Sequence, residues 1–376
     1  MRLYIPLLFA FIQLNAQSGI ISGFISDSSS AEALIGANVI LQETGQGMAT
    51  DINGYYIIQD ITPGDYVLMV SYVGFKLKKE KLKISDGQSI KLDISLSEDV
   101  VELTQIEVTA EQIQRKSNIQ PSKINLSPRM MKAAPALAEP DLFRTIQALP
   151  GVLTTSEFST GLVIRGGNTD QNLILLDGVT VYNPSHLGGI FSNFIVDGVK
   201  EAELIKGAYN AEYGGRLSAV LNIISREGNQ KKFEGKANLS LLSAQATIEG
   251  PFYKGAWVFS GRRTYFDKIF QNVPTIPPYY FYDIQSHIYT DLTSKDRLSL
   301  SFYNGVDDLL FDTFGLTGRW GNRTVSAQYR RVFSEKLIGN FLYANSLFFT
   351  EFGLSLIHIS EPTRQAEISY AVFCVK

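Results

Sequence analysis

The residue types that do chemistry are sparse in this 376-residue chain: three histidines, His186, His287 and His358, and one cysteine, Cys374. One cysteine closes no intramolecular disulfide, and no Cys and His residues stand at the paired spacings of a zinc site. No H-E-x-x-H, G-x-S-x-G or Walker A run occurs. The sequence therefore predicts no catalytic residue, no metal site and no cofactor. What remains is charge and backbone. Arg165 and Arg216 stand in glycine-rich turns, and a buried guanidinium would need carboxylate partners, Glu203 and Glu212 among the candidates. Tyr182, Asn183 and His186 lie about a Pro-Ser turn and are weak candidates for touching a ligand, since a lone histidine in a polar loop is more often exposed. Ile106, Glu107, Val108, Thr109 and Ala110 form an extended segment of high strand propensity in polar surroundings. Such a segment either adds to another protein's sheet edge through its backbone or is an ordinary linker strand.

These residues must be positioned by elements, and composition shows where the elements change. The chain is 45% hydrophobic and 19% charged, with 34 Lys+Arg against 37 Asp+Glu, so a strongly basic nucleic-acid binder is not expected. No apolar run is long enough for a helical membrane span. Aromatics are unevenly placed: residues 1–232 hold 16 and residues 233–355 hold 25. At the start, Met1 and Arg2 precede an apolar stretch at 3–12, and the pattern reads as an export signal over 1–16, cut after Ala16. At the other end, 356–376 breaks the preceding pattern and is expected to be a foreign tail.

Residues 18–97 read as six or seven short strands at about ten-residue spacing, a β-sandwich. Asn53 and Gly54 supply the positive-φ residues of a tight turn. Gly23, Ile25 and Asp27; Ile35, Gly36, Ala37 and Val39; Thr50, Asp51, Gly54 and Tyr56; and Pro63, Gly64, Tyr66, Leu68, Ser71, Gly74 and Phe75 together resemble the carboxypeptidase-regulatory-like domain. No peptidase site accompanies it, because residues 1–185 hold no histidine.

After a linker at 98–116, residues 117–232 read as a mixed domain. A helix over 139–149 starts with Pro140 and Asp141 and stops at Pro150 and Gly151. A strand into a glycine turn follows at 162–167, then a hairpin about Asp177 and Gly178, and strands at 199–205 and 217–224. The ordered motifs at 149–152, 164–167, 176–179, 203–208 and 213–225 resemble the plug domain of TonB-dependent outer-membrane receptors. Ala219 departs from the family's usual glycine, a change conservative in shape. The resemblance implies that Ile106 to Ala110 is the TonB box and that Arg165 and Arg216 make plug–barrel contacts.

Residues 233–355 alternate apolar and polar in runs of about ten, with aromatics near the ends, the pattern of a transmembrane β-barrel. The alternation flips phase between Leu241 and Leu242, which requires a bulge or a tight connection. The expected fold class is thus mainly β: an N-terminal β-sandwich, an α+β plug, and the start of an antiparallel transmembrane barrel. A barrel of this family has 22 strands, so only its first strands are expected here, about six.

The resemblance implies an outer-membrane receptor with its N-terminal domain in the periplasm, importing a scarce ligand with energy delivered by TonB and ExbB–ExbD. A metal–siderophore chelate or vitamin is the favoured cargo, because 206–216 looks less like the large glycan importers. An oligosaccharide or peptide importer, with or without a surface lipoprotein, is the alternative within the family. A secreted carbohydrate-binding or adhesive β-protein is the alternative outside it, and it leaves the plug motifs unexplained.

Overall fold

The computed structural model describes residues 18–99, 123–134, 139–156, 159–270, 273, 278–293, 295–311, 316–334, 337–354, 359–364 and 368–375. The expected signal, the extended segment 106–110 and most of the linker lie outside the described residues. The chain divides into two compact units, one essentially the N-terminal domain and the other everything from Asn118 onward.

The first unit is a sandwich of eight short strands: β1 (Gly19–Asp27), β2 (Asn38–Leu41), β3 (Gly47–Ala49), β4 (Tyr55–Ile61), β5 (Gly64–Ser71), β6 (Lys78–Ile84), β7 (Ser89–Lys91) and β8 (Ile94–Leu96). One sheet runs β4-β1-β7 with β8 also on β1, the other β3-β2-β5-β6. Ile21, Ile25, Val39, Leu41, Tyr56, Ile61, Leu68 and Val70 fill the space between them. The turn at Asn53 and Gly54 forms, but only Gly54 is left-handed, at φ +72, where a Cβ would stand 2.7 Å from the Ile25 carbonyl oxygen; Asn53, expected at positive φ as well, is not. Asp51 closes it by accepting the Asn53 and Tyr55 amides at 2.8 and 2.9 Å.

In the second unit, β9 (Lys123–Leu126), β12 (Leu173–Leu176), β13 (Val179–Thr180), β16 (Val199–Ile205) and β17 (Val220–Ser225) make one five-stranded sheet ordered β13-β12-β17-β16-β9. Two-stranded ribbons flank it: β10 (Val152–Thr154) with β11 (Leu162–Ile164), and β14 (Ser185–His186) with β15 (Phe191–Ser192). Helices Pro128–Ala133 and Leu142–Gln147 cover one face, and Leu142, Phe143, Ile146, Phe194, Val199, Leu204, Leu221 and Ile223 pack as its core. The second helix begins where its cap allows. The Asp141 side chain accepts the Phe143 and Arg144 amides, and Gly151 at φ +79 turns the chain away after it.

The remaining strands form one antiparallel wall: β18 (Glu234–Leu239), β19 (Ser243–Phe252), β20 (Gly255–Thr264), β21 (Tyr279–Asp291), β22 (Asp296–Phe311), β23 (Leu316–Ser334) and β24 (Leu337–Leu354), with β25 (Ile359–Arg364) and β26 (Ile368–Val375) both on the far edge of β24. The phase flip at Leu242 is a tight connection between β18 and β19, with Ser240 and Ser243 bonded across it. Among the described residues the wall has nine strands, seven of them before residue 355, against about six expected.

The wall's two faces differ in kind. Cross-strand partners Ile288, Leu300, Ala327 and Tyr343 form one outward row, with Leu300 47% and Tyr343 55% exposed. The neighbouring rows carry Arg262, Asp283, Gly305 and Asn322, and then Ser260, Gln285, Tyr303, Thr324 and Ser346, all buried against the plug. Polar inside and apolar outside is the reverse of a soluble domain and matches a barrel wall. Among the described residues no helix is long and apolar enough to cross a membrane.

Candidate functional site

The densest chemistry lies on the seam where the plug meets the wall's polar face. His186 ends β14 and is fully buried, not exposed as expected of a lone loop histidine. Its Nδ1 is 2.7 Å from Asp307 Oδ2 and its Nε2 is 2.9 Å from Asp283 Oδ1. Ionised carboxylates only accept, so both ring nitrogens must donate, which defines the imidazolium. The ring also stacks on Phe281 with centroids 4.1 Å apart. Burial disfavours the charged ring, but Asp283 and then Asp307 outweigh it and raise the pKa from 6.5 to about 9.

A second cation shares the seam. Arg262 reaches Asp283 Oδ2 through Nε at 2.9 Å, Glu139 Oε1 through Nη1 at 2.6 Å, and the Ser192 carbonyl through Nη2 at 2.7 Å. Tyr303 donates to Asp283 at 2.8 Å, Ser243 donates to Glu139 at 2.5 Å, and the Tyr279 hydroxyl donates to Asp307. Leu187 N adds a bond to Asp307 at 3.1 Å. Two cations thus sit among three buried carboxylates, each held by several donors, the arrangement that makes buried charge tolerable. Among the described residues no three His, Cys, Asp or Glu side chains are grouped to hold a metal ion.

Polar contacts continue along the inner rows. Asn322 accepts from Tyr182 N at 3.2 Å and donates to the Asn183 carbonyl at 2.7 Å. Ser346 donates to the Thr180 carbonyl at 2.6 Å, and Gln285 donates to Ser225 Oγ at 2.8 Å. Farther along, Arg226 pairs with Glu249 at 2.8 Å and Arg297 with Glu227 at 3.2 Å.

The residues singled out from sequence fall in different places. Tyr182, Asn183 and His186 come together on this seam, bonded to the wall. With both nitrogens taken, His186 is a seam residue here and not an open ligand contact. Arg165 is exposed at a left-handed turn, φ +48. Arg216 is half-buried and donates to the Gly215 carbonyl at 2.9 Å. Their expected partners are engaged elsewhere: Glu203 pairs with Lys123, and Glu212 accepts from Asn210 at 3.3 Å. Glu139, Arg262, Asp283 and Asp307 escaped the sequence reading. For Arg262, Asp283 and Asp307 the strand phase that puts them opposite the apolar positions was the available signal; Glu139 lies on no strand and had none.

A small mixed domain pinned by ionic and hydrogen-bonded groups to the polar face of an antiparallel wall is the architecture of a plugged barrel. Comparison with known proteins supplies the family. Residues 21–108 match the CarboxypepD_reg-like domain and residues 125–220 the TonB-dependent receptor plug domain. TonB-dependent receptor P26 of Formosa agariphila is 30% identical over 250 residues, 62% of this chain and 23% of that protein. TonB-dependent transporter Oar of Myxococcus xanthus is 24% identical over 229 residues, 57% of this chain and 21% of the relative. Among solved structures, the siderophore receptor PirA from Pseudomonas aeruginosa aligns with a TM-score of 0.48 at 16% identity, covering 62% of this chain and 42% of that one. The chain carries sequence of a TonB-dependent receptor: a carboxypeptidase-regulatory-like domain, a plug domain and strands of the barrel wall. It spans less than a quarter of the length of these curated relatives, which are receptors and transporters rather than enzymes.

Proposed function

We propose that the chain is part of an outer-membrane importer in which a scarce ligand is captured at the outer face of plug and wall and admitted when TonB pulls on the plug. The observation that carries this reading is the polar seam. Ion pairs and hydrogen bonds can be exchanged for water when a plug shifts, whereas a plug sealed by apolar surface would expose that surface to an aqueous lumen. The outward row of Ile288, Leu300, Ala327 and Tyr343 suits a lipid neighbour.

In this reading residues 1–16 export the chain, 18–97 stand in the periplasm and 98–116 link them to the plug. Ile106, Glu107, Val108, Thr109 and Ala110 add as a strand to TonB, which draws on ExbB–ExbD. Backbone pairing gives a mechanically firm grip with little demand on side chains. Arg165 and Arg216 are proposed to face other parts of the closed barrel, and Tyr182 and Asn183 to lie nearest the ligand. A metal chelate or vitamin is the favoured cargo, and an oligosaccharide or peptide the alternative.

Cysteine substitutions at 106–110, cross-linked in cells, test the partner: adducts with TonB are expected. Proline removes a backbone donor, and alternate residues of a strand face its partner. One of Val108→Pro and Thr109→Pro should therefore abolish the adducts. Failure to cross-link at all five positions would contradict the assignment. Cargo is read by binding to the purified receptor: saturable binding of ferric chelates supports the favoured class, and binding of oligosaccharides alone selects the alternative.

A further inference from the structure

The seam has an arrangement that bears on how the plug yields. Glu139 and Asp141 stand immediately ahead of the helix Leu142–Gln147, after β9 and the helix Pro128–Ala133 have already joined the plug. Asp141 caps the helix through Oδ1 and accepts the Ser192 amide on Oδ2 at 2.7 Å. Arg262 holds the Ser192 carbonyl and Glu139 together. Ser192 closes one end of a strap whose other end is His186, pinned between Asp283 and Asp307. Between those ends Leu187, Gly188 and Gly189 lie at φ +49, +63 and +108. The two glycines adopt this conformation freely, but Leu187 is strained there and is held by the bonds at its end of the strap.

We infer that Glu139, Asp141 and Arg262 form a latch coupling the start of the helix Leu142–Gln147 to the strap 186–192. Displacing residues 139–141 removes the Asp141 bond to the Ser192 amide and one counter-charge of Arg262, which weakens the hold on that end of the strap. Coupling of this kind is reciprocal, so displacing the strap loosens residues 139–141 as well. The inference rests on the proposed transport reading only for its direction, with force arriving from 106–110. The groups facing His186 and its partners are Asp283 and Tyr279 from β21, Asp307 and Tyr303 from β22, Arg262 from β20, and Glu139 and Asp141 from the plug. Because the folded pKa of His186 is raised, its contribution is whole below about 6.5, persists through neutral pH and is lost as pH climbs through about 9.

Hydrogen exchange on the intact chain tests the latch. Glu139→Gln keeps the shape and removes the charge, so amides in 186–192 should exchange about ten-fold faster or more, with β16 unchanged as the control for folding. Changes confined to 139–148 would overturn the coupling. A second readout is optical. Trp320 packs in an apolar cluster with Leu187 and Ile190, so in a Trp257→Phe chain its emission reports the strap. Glu139→Gln added to that chain should shift the emission as the strap loosens; unchanged emission overturns the latch. Neither readout involves TonB or cargo, so such a failure leaves the transport reading standing, whereas absent TonB cross-links do the reverse.

Discussion

His186 is buried with both ring nitrogens bonded to carboxylates and its ring face stacked on Phe281. Its environment follows from where the wall places carboxylates, two residues apart on inward positions of neighbouring strands. Glycine makes room for that network. A Cβ on Gly305 would lie 2.0 Å from the Tyr303 hydroxyl and 2.6 Å from Asp283 Oδ1. Gly305→Ala should therefore break the Tyr303–Asp283 bond and destabilise the detergent-solubilised chain by about 1–3 kcal/mol in denaturant titration. An unchanged midpoint would show that the network adjusts freely. The sequence reading reached Tyr182, Asn183 and His186 as a group but not their partners. Asp283 and Asp307 lie 97 and 121 residues away, and a pairing across that distance leaves no local signature. The expectation that two turn arginines carry the seam came from the family resemblance, while the described seam relies on Arg226, Arg262 and Arg297.

At the scale of elements, what was legible is what obeys a period. The strands of the wall and the flip at Leu242 follow from alternation, and the helix after Asp141 follows from its cap. Strand ends were less legible. The run expected at 297–306 continues to Phe311, and the one expected at 322–333 begins at Leu316. There the outward pair Asp308 and Arg319 interrupts the alternation although backbone pairing continues. Apolar alternation marks only the part of a strand that faces hydrocarbon. The outward row gives a direct check. Leu300→Arg places a cation among Ile288 and Ala327 and should cost about 2–4 kcal/mol of insertion if the row lies near the bilayer midplane. The yield in outer-membrane fractions should fall accordingly, while a yield equal to the parent's would move this face out of lipid.

At the scale of the whole molecule, two physical requirements meet in one wall. Lipid demands that every backbone polar group be paired and that the outer face be apolar. Under the proposed transport, the plug demands an inner face able to hold it firmly and let it go. The strands satisfy both because successive side chains point to opposite faces, so one stretch of sequence carries two independent texts. The outer text was readable as a barrel, and the inner text became readable only once the plug was in place.

The most direct test of the central claim is electrophoresis of outer-membrane fractions from cells expressing the receptor to which this chain belongs, with and without boiling. A plugged, membrane-inserted barrel should appear in that fraction and migrate faster before heating than after. A soluble periplasmic or secreted product with the same mobility in both conditions would contradict it.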